Sequence, residues 1–363
     1  MLDLVQLSTQ VVALSHELRQ ESQHHRHRVQ QVVRLYHQWL RDPDAWLQPS
    51  TPPLFAWARP SGSPHPWDPE PAPARHRVTA TDGSQLVVNH HEMVACWLLN
   101  VGLVRLTYGT GERPILRSFP RILTRLGELD PETALAWQRS LWELQVLAQS
   151  ALESGENTLP QVALVDGSLL AWGLEGLPQE IQQQCLEPWL LWVQRLQTAG
   201  IPLVGYVSAP RSREVVGFLR LGLCEQPCEQ VGGVQDRHLW AEVLKPGQAS
   251  PLWISGSRLN GVYGEQAIHA CYVHGGREVI RLEFPAWLAR ERSLLQTTVG
   301  LILAQVEKGR GYPITLAEAH HLAVIRGSDR QRFLALVERE LIRSGLEQVQ
   351  VSPKQAHKSQ TLV

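Results

Sequence analysis

Apolar positions near the amino terminus recur at alternating three- and four-residue spacing: Leu4, Leu7, Val11, Leu14 and Leu18. That spacing lines one narrow seam of a helix. After a polar interval at 21–28 an apolar face resumes at Val29, Val32, Val33, Tyr36, Trp39 and Leu40, which predicts a single long helix over 3–40. Asp42-Pro43 ends it. From there to about Pro73 prolines are dense, with Trp46, Trp57 and Trp67 among them. Proline excludes regular helix and central strand. The tryptophans argue against a bare solvated linker, so the segment reads as an extended strap laid over a surface.

Strand patterning starts near Arg77. Residues 78–81 and 86–88 read as strands on either side of Asp82-Gly83-Ser84-Gln85, followed by a strand-like stretch at 95–106. A helix is expected over 131–154, a buried strand at 161–165 opening onto Asp166-Gly167-Ser168, a helix over 178–199 and a strand at 202–207. Residues 267–273 and 278–284 form a hairpin around Gly275-Gly276. Further on, Thr315-x-x-Glu318 and Ser328-x-x-Gln331 have capping-box form, and Gly345 sits where a helix would end. Strands mixed with long helices give an α/β fold with a partly antiparallel sheet. The division expected is an N-terminal helix over 1–40, a Pro-rich strap over 41–76, one α/β domain over 77–350 and a flexible tail over 351–363.

Composition narrows this little. The 363 residues are 43% apolar, as in an ordinary globular chain, and 34 basic side chains balance 35 acidic ones. A globally basic nucleic-acid binder is excluded, a local basic site is not. No apolar run reaches the roughly 18 residues of a membrane helix. The start, Met1-Leu2-Asp3-Leu4-Val5, lacks the basic region of a secretory signal, and five cysteines are too few for a disulfide framework, so a cytoplasmic address is expected. Cys224 and Cys228 have the spacing of half a zinc site, but no second pair stands at matching distance.

The two Asp-Gly-Ser triplets carry the most chemistry. Each follows a β-branched or apolar run, and acids at the ends of neighbouring strands suit a pair of hard divalent cations. Asp-Gly also opens ordinary turns; it is the matched setting of the pair that points to metal. A third acid is expected from the helix 131–154, where Glu143 flanks the apolar stripe Trp137, Leu141, Leu144, Ala148 and Ala151, while Glu153 falls on the solvated face. His320 shares a face with Leu316 and Ala323 and so points inward; imidazole beside carboxylates favours Mn²⁺ over Mg²⁺. Arg211, Arg213 and Arg220 follow the strand 202–207 and suit phosphate. No Walker A sequence, Rossmann fingerprint or Gly-x-Ser-x-Gly elbow occurs.

Taken in order, these residues resemble the NurA nucleases of double-strand-break repair. The resemblance runs from about Arg77 to Phe333. It rests on Thr81 to Gln85, Trp142-Glu143-Leu144, Val162 to Leu169, Val204 to Ser208 with its following arginines, Tyr272 in Cys271-Tyr272-Val273, Arg281 to Pro285, and Gly311-Tyr312-Pro313 through His320. It implies an RNase H-like mixed sheet flanked by helices, and Mn²⁺-dependent cleavage of DNA, with two ions and Mg²⁺ as the alternative. It further implies a homodimer and partnership with a hexameric HerA-type translocase, an ATPase. By position Asp82, Glu143, Asp166 and His320 would hold the metals, with Tyr272 nearby and Arg211 and Arg213 on DNA. A loop at 153–160 lengthens the Glu143-to-Asp166 interval and keeps Glu153 as the alternative acid. Competing readings are a non-catalytic DNA clamp or translocase adaptor on the same fold, and a different RNase H-like enzyme such as a resolvase or Argonaute-type slicer.

Overall fold

The two apolar faces near the amino terminus lie on one helix in the computed structural model, α1 (Leu4–Arg41). The structure describes residues 4–43, 46, 55–88, 96–127, 129–153, 159–222 and 231–345. Strands β1 (Ala58–Ser61), β2 (His76–Val88), β3 (Cys96–Tyr108) and β4 (Ile115–Leu123) follow α1. Next come α2 (Pro131–Leu152), β5 (Gln161–Asp166), α3 (Gln179–Thr198) and β6 (Leu203–Val207). Helices α4 (Glu214–Arg220) and α5 (Asp236–Val243) lead to β7 (Leu252–Ser255), α6 (Arg258–Val262) and the hairpin of β8 (Ile268–His274) with β9 (Val279–Pro285). The carboxyl-terminal part is helical: α7 (Ala286–Arg290), α8 (Arg292–Lys308), α9 (Ile314–Ala323) and α10 (Gly327–Arg343). Two compact units divide the chain, one joining 1–69 to 207–289, the other 70–206 to 290–363. The span read as one domain, 77–350, is therefore distributed over both. Among the described residues no helix is long and apolar enough to cross a membrane.

In the first unit β1, β7, β8 and β9 form an antiparallel run. Its core is aromatic: Val32, Tyr36 and Trp39 of α1 are buried with Phe218, Trp240, Trp253 and Tyr272. The strap is anchored within this unit. Ala58–Ser61 pairs with β7 as an edge strand, where Pro60 is tolerated. Trp67 exchanges both backbone hydrogen bonds with Ala249, at 2.9 Å each. Trp46 donates its indole N–H to the Phe218 carbonyl at 3.2 Å, and the Trp57 ring lies against Gly256, where any Cβ would intrude.

In the second unit the strand order is β6-β5-β2-β3-β4. Strands β2, β3 and β4 are antiparallel neighbours, while β5 and β6 run parallel to β2. Successive residues of a strand face opposite sides. On one side Thr81 Oγ1 donates to the Glu143 carbonyl of α2; on the other, Gly102 meets the Ala319 carbonyl of α9. Helices thus flank the sheet on both faces, the RNase H-like arrangement.

Three local expectations change. Asp82-Gly83-Ser84 does not separate two strands: β2 is continuous, and each residue from His76 to Val88 has a partner on β3. A thirteen-residue ladder satisfies more backbone than a local turn would. Only the second triplet ends a strand, with Gly167 at φ 108. The helices at 314 and 327 also start earlier than their capping-box patterns suggest. Pro313, with its constrained φ, precedes α9 and Thr315 is buried inside it, while the Asp329 carboxylate accepts the Arg326 N–H at 3.0 Å to cap α10. Gly345, at φ 86, closes α10 as expected. Cys224, Cys228 and the tail 351–363 lie outside the described residues.

Candidate metal centre

Asp82 sits in the middle of β2. Its Oδ1 accepts the Gly83 N–H at 2.8 Å and its Oδ2 lies 2.7 Å from His320 Nδ1. The carboxylate is 15% exposed and the imidazole 59%. His320 flanks the buried line Leu316, Ala319 and Ala323 and is not part of it, so the inward orientation expected from spacing is not adopted. One step of 100° off that line brings the ring to the rim, with Nδ1 turned to the acid. Helix α9 reaches β3 this closely because Gly102 has no Cβ to meet the Ala319 carbonyl. Its last turn is held from the sheet: Asn100 donates to the Leu322 and Ala323 carbonyls at 3.0 and 2.8 Å, and Ser84 Oγ donates to Ala323 as well. Those carbonyls have no partners within their own helix.

Glu143 comes from α2 and is 5% exposed, its Oε1 folded over Gly83 where a Cβ would overlap it. Arg139, one turn earlier, places Nε 3.3 Å from Oε1. Burial pushes the Glu143 carboxyl up to about 8; Asp82 and Asp166 add repulsion, and Arg139 opposes both. Glu153 is the exposed C-cap of the same helix.

Thr81 pairs with Val165, so Asp82 and Asp166 occupy the next step of adjacent parallel strands. Partial desolvation raises the Asp166 carboxyl above its ordinary value. A hydrogen bond from the Tyr312 hydroxyl works the other way, Asp82 raises it further, and His320 lowers it. Tyr312, read from the sequence as part of a motif and given no role in the site, is delivered by a tight turn in which Arg310 has φ 58 and Gly311 φ 123. Its ring stands edge-on to Tyr206 with centroids 5.3 Å apart, and burial beside Asp166 keeps its hydroxyl protonated. The sequence signal for it is the Gly309-Arg310-Gly311-Tyr312-Pro313 run immediately before the helix of His320.

Among the described residues no three His, Cys, Asp or Glu side chains converge, as they stand, on one coordination point. Glu143 is turned to Arg139, Asp166 to Tyr312 and Asp82 to His320. The donor set nonetheless suits a divalent cation. Glu143 and Asp166 are both pushed towards protonation with Asp82 among the causes, a repulsion that a bound cation relieves, and the imidazole stands beside them.

Tyr272, Arg211 and Arg213 belong to the other unit. The Tyr272 hydroxyl donates to Asp236 at 2.7 Å and accepts from Arg281 at 3.1 Å. Arg281 in turn bonds Glu214 at 2.6 Å and Glu283 at 2.8 Å, and all five residues are buried in one network. Arg211 and Arg213 are exposed in the loop ahead of α4.

Among solved structures, the NurA nuclease from Sulfolobus solfataricus is 14% identical over 77% of this chain and 88% of that one, with a TM-score of 0.53. That is a likeness of fold. A NurA bound to dAMP and manganese is 12% identical over 75% of this chain and 90% of that one, at a TM-score of 0.39. Endonuclease V from Bacillus subtilis is 10% identical over 69% and 83%, at 0.34. None of the curated proteins matches the chain. The profile of the NurA domain matches residues 76–325, from the first residue of β2 to just past α9, and with well over half of its length so matched the chain belongs to the NurA domain family.

Proposed function

We propose that this chain is a metal-dependent DNA nuclease, a phosphodiester hydrolase of end resection in double-strand-break repair, working as a homodimer with a HerA-type translocase. The observation that supports this reading is the grouping of acids in one unit. Asp82 contacts His320 at 2.7 Å, Glu143 lies over the glycine beside Asp82, and Asp166 stands one register step along the neighbouring strand. Asp82, Glu143, Asp166 and His320 would hold the cations, Mn²⁺ before Mg²⁺ because of the imidazole. When bound, a pair of such ions supplies an activated water and stabilises the leaving oxygen of a phosphodiester.

The remaining work falls to the chain's own side chains. Asp82, by engaging Nδ1 of His320, orients the ring, so that Nε2 is the nitrogen that would meet a cation. Tyr312 orients Asp166 through its hydroxyl. Tyr272, expected near the metals, is bonded to Asp236 and has a structural part. Arg139 partly offsets the cost of burying a charge on Glu143. Exposed Arg211 and Arg213 are suited to DNA phosphates.

The test is cleavage of end-labelled single- and double-stranded DNA with Mn²⁺, wild type beside Asp82→Asn, with Mn²⁺ binding followed by calorimetry. The variant should lose more than about a hundredfold in rate, since even residues that only orient a metal ligand matter ten- to a hundredfold. Near-wild-type cleavage by Asp82→Asn defeats the metal reading. A wild type that binds DNA and Mn²⁺ without cutting is the non-catalytic clamp.

A further inference from the structure

Trp172 follows β5 by six residues and is 41% exposed, the one aromatic among the large apolar side chains standing out of the described surface. Its ring is mounted rigidly. The indole N–H donates to Ser168 Oγ at 3.0 Å, and that oxygen also accepts the Leu170 N–H at 3.1 Å. The Trp172 backbone N–H donates to the Leu170 carbonyl at 2.8 Å across Ala171, whose φ −76 and ψ 63 make an inverse γ-turn. Leu169, Leu170 and Leu174 are buried on either side and pin the loop. A surface tryptophan ordinarily turns its N–H to water. Here the polar edge is satisfied inside the loop, and what faces solvent is ring.

The same loop begins at Asp166. Two residues of chain span at most ~7 Å, so with the Ser168–indole bond the indole nitrogen stays within roughly 13 Å of the Asp166 Cα. Bases along one strand of a duplex are spaced by about 3.4 Å. The ring is therefore within reach of a base a few nucleotides from a phosphate held at Asp166.

We infer that Trp172 is a stacking platform for a base of the DNA strand flanking the scissile phosphate. The inference rests on the nuclease reading and adds to it the residue that would set the register of a single-stranded substrate. An aromatic held in one orientation loses little freedom on binding. A π-face accepts any base, so the platform grips without selecting sequence, and one such stack strengthens binding roughly fivefold to a hundredfold.

Trp172→Phe and Trp172→Leu separate ring from bulk. With Mn²⁺ and single-stranded oligonucleotides, Leu should raise KM by at least about fivefold with kcat little changed, while Phe stays near wild type. In an Asp82→Asn background, 2-aminopurine moved base by base along the oligonucleotide should be quenched at one position a few nucleotides from the cut, and Trp172→Leu should remove that quenching. An abasic nucleotide at that position should erase the difference between wild type and Leu. Equal KM for all three proteins, or quenching that survives Trp172→Leu, overturns the platform and leaves the nuclease standing. A wild type that neither binds nor cleaves DNA removes the nuclease reading and the platform with it.

Discussion

A carboxylate enclosed as Glu143 is carries a cost that a cation or a proton can relieve. Its pKa of about 8 stands well above the ordinary value of 4.5. Between those values the folded chain keeps a proton that the unfolded chain has released. Stability from this group is therefore complete below about 4.5 and is lost as pH rises through about 8. Metal-free protein should become less stable by up to a few kcal/mol across that window, with a slope of at most about 1.4 kcal/mol for each pH step of one. Glu143→Gln keeps the shape over Gly83 without the charge, so its thermal melts should show no such slope and should exceed wild type at the alkaline end of the window. Mn²⁺ should raise the wild-type melting temperature and leave the variant's nearly unchanged. A wild-type slope that survives the substitution assigns the effect to another group. Tyr312→Phe is the companion case: losing the hydroxyl that favours ionised Asp166 should weaken Mn²⁺ binding about tenfold by calorimetry, with the melting temperature held.

At the scale of elements, the centre depends on how closely two helices approach β2 and β3. Gly102→Ala would set a methyl against the Ala319 carbonyl, and backbone at a helix interior cannot swing aside. The expected cost is about 1–3 kcal/mol, read as a lower melting temperature, together with weaker Mn²⁺ binding because α9 carries His320. Undiminished binding would separate helix placement from the metal site. The elements most legible in the sequence are those with one buried side over many residues: α1, α2, α3 and the β8–β9 hairpin lie within one or two residues of their expected limits. Strand β4 shows no alternation because, at the edge of its sheet, most of its positions are exposed on both faces. Asp82 is legible as a residue and misleading as a turn, since Asp-Gly has turn chemistry locally while pairing with β3 is a long-range fact. Tyr272 and Tyr312 are alike as letters. Only the hydrogen bonds, to Asp236 in one case and to Asp166 in the other, tell them apart.

At the scale of the whole molecule, α1 buries one of its apolar faces and leaves the other open. Val32, Tyr36 and Trp39 are core, whereas Leu4, Val11, Leu14 and Leu18 are 71%, 56%, 51% and 54% exposed. An apolar seam of this length is unusual on a lone soluble chain. Each leucine covered would contribute about 2 kcal/mol, so a seam pairing with its copy in a second molecule offsets much of an association cost of roughly 4–15 kcal/mol. The chain should therefore scatter light at about twice its 40.8 kDa mass. Leu14→Glu with Leu18→Glu should return it to the monomer, because two charges would be buried in each copy of the contact without partners. Melting temperature and DNA cleavage should hold, since neither side chain belongs to a core. If the translocase covers the seam instead, wild type alone is monomeric and the double variant fails to bind that partner. A drop in melting temperature with association unchanged would make the first half of α1 part of the chain's own fold.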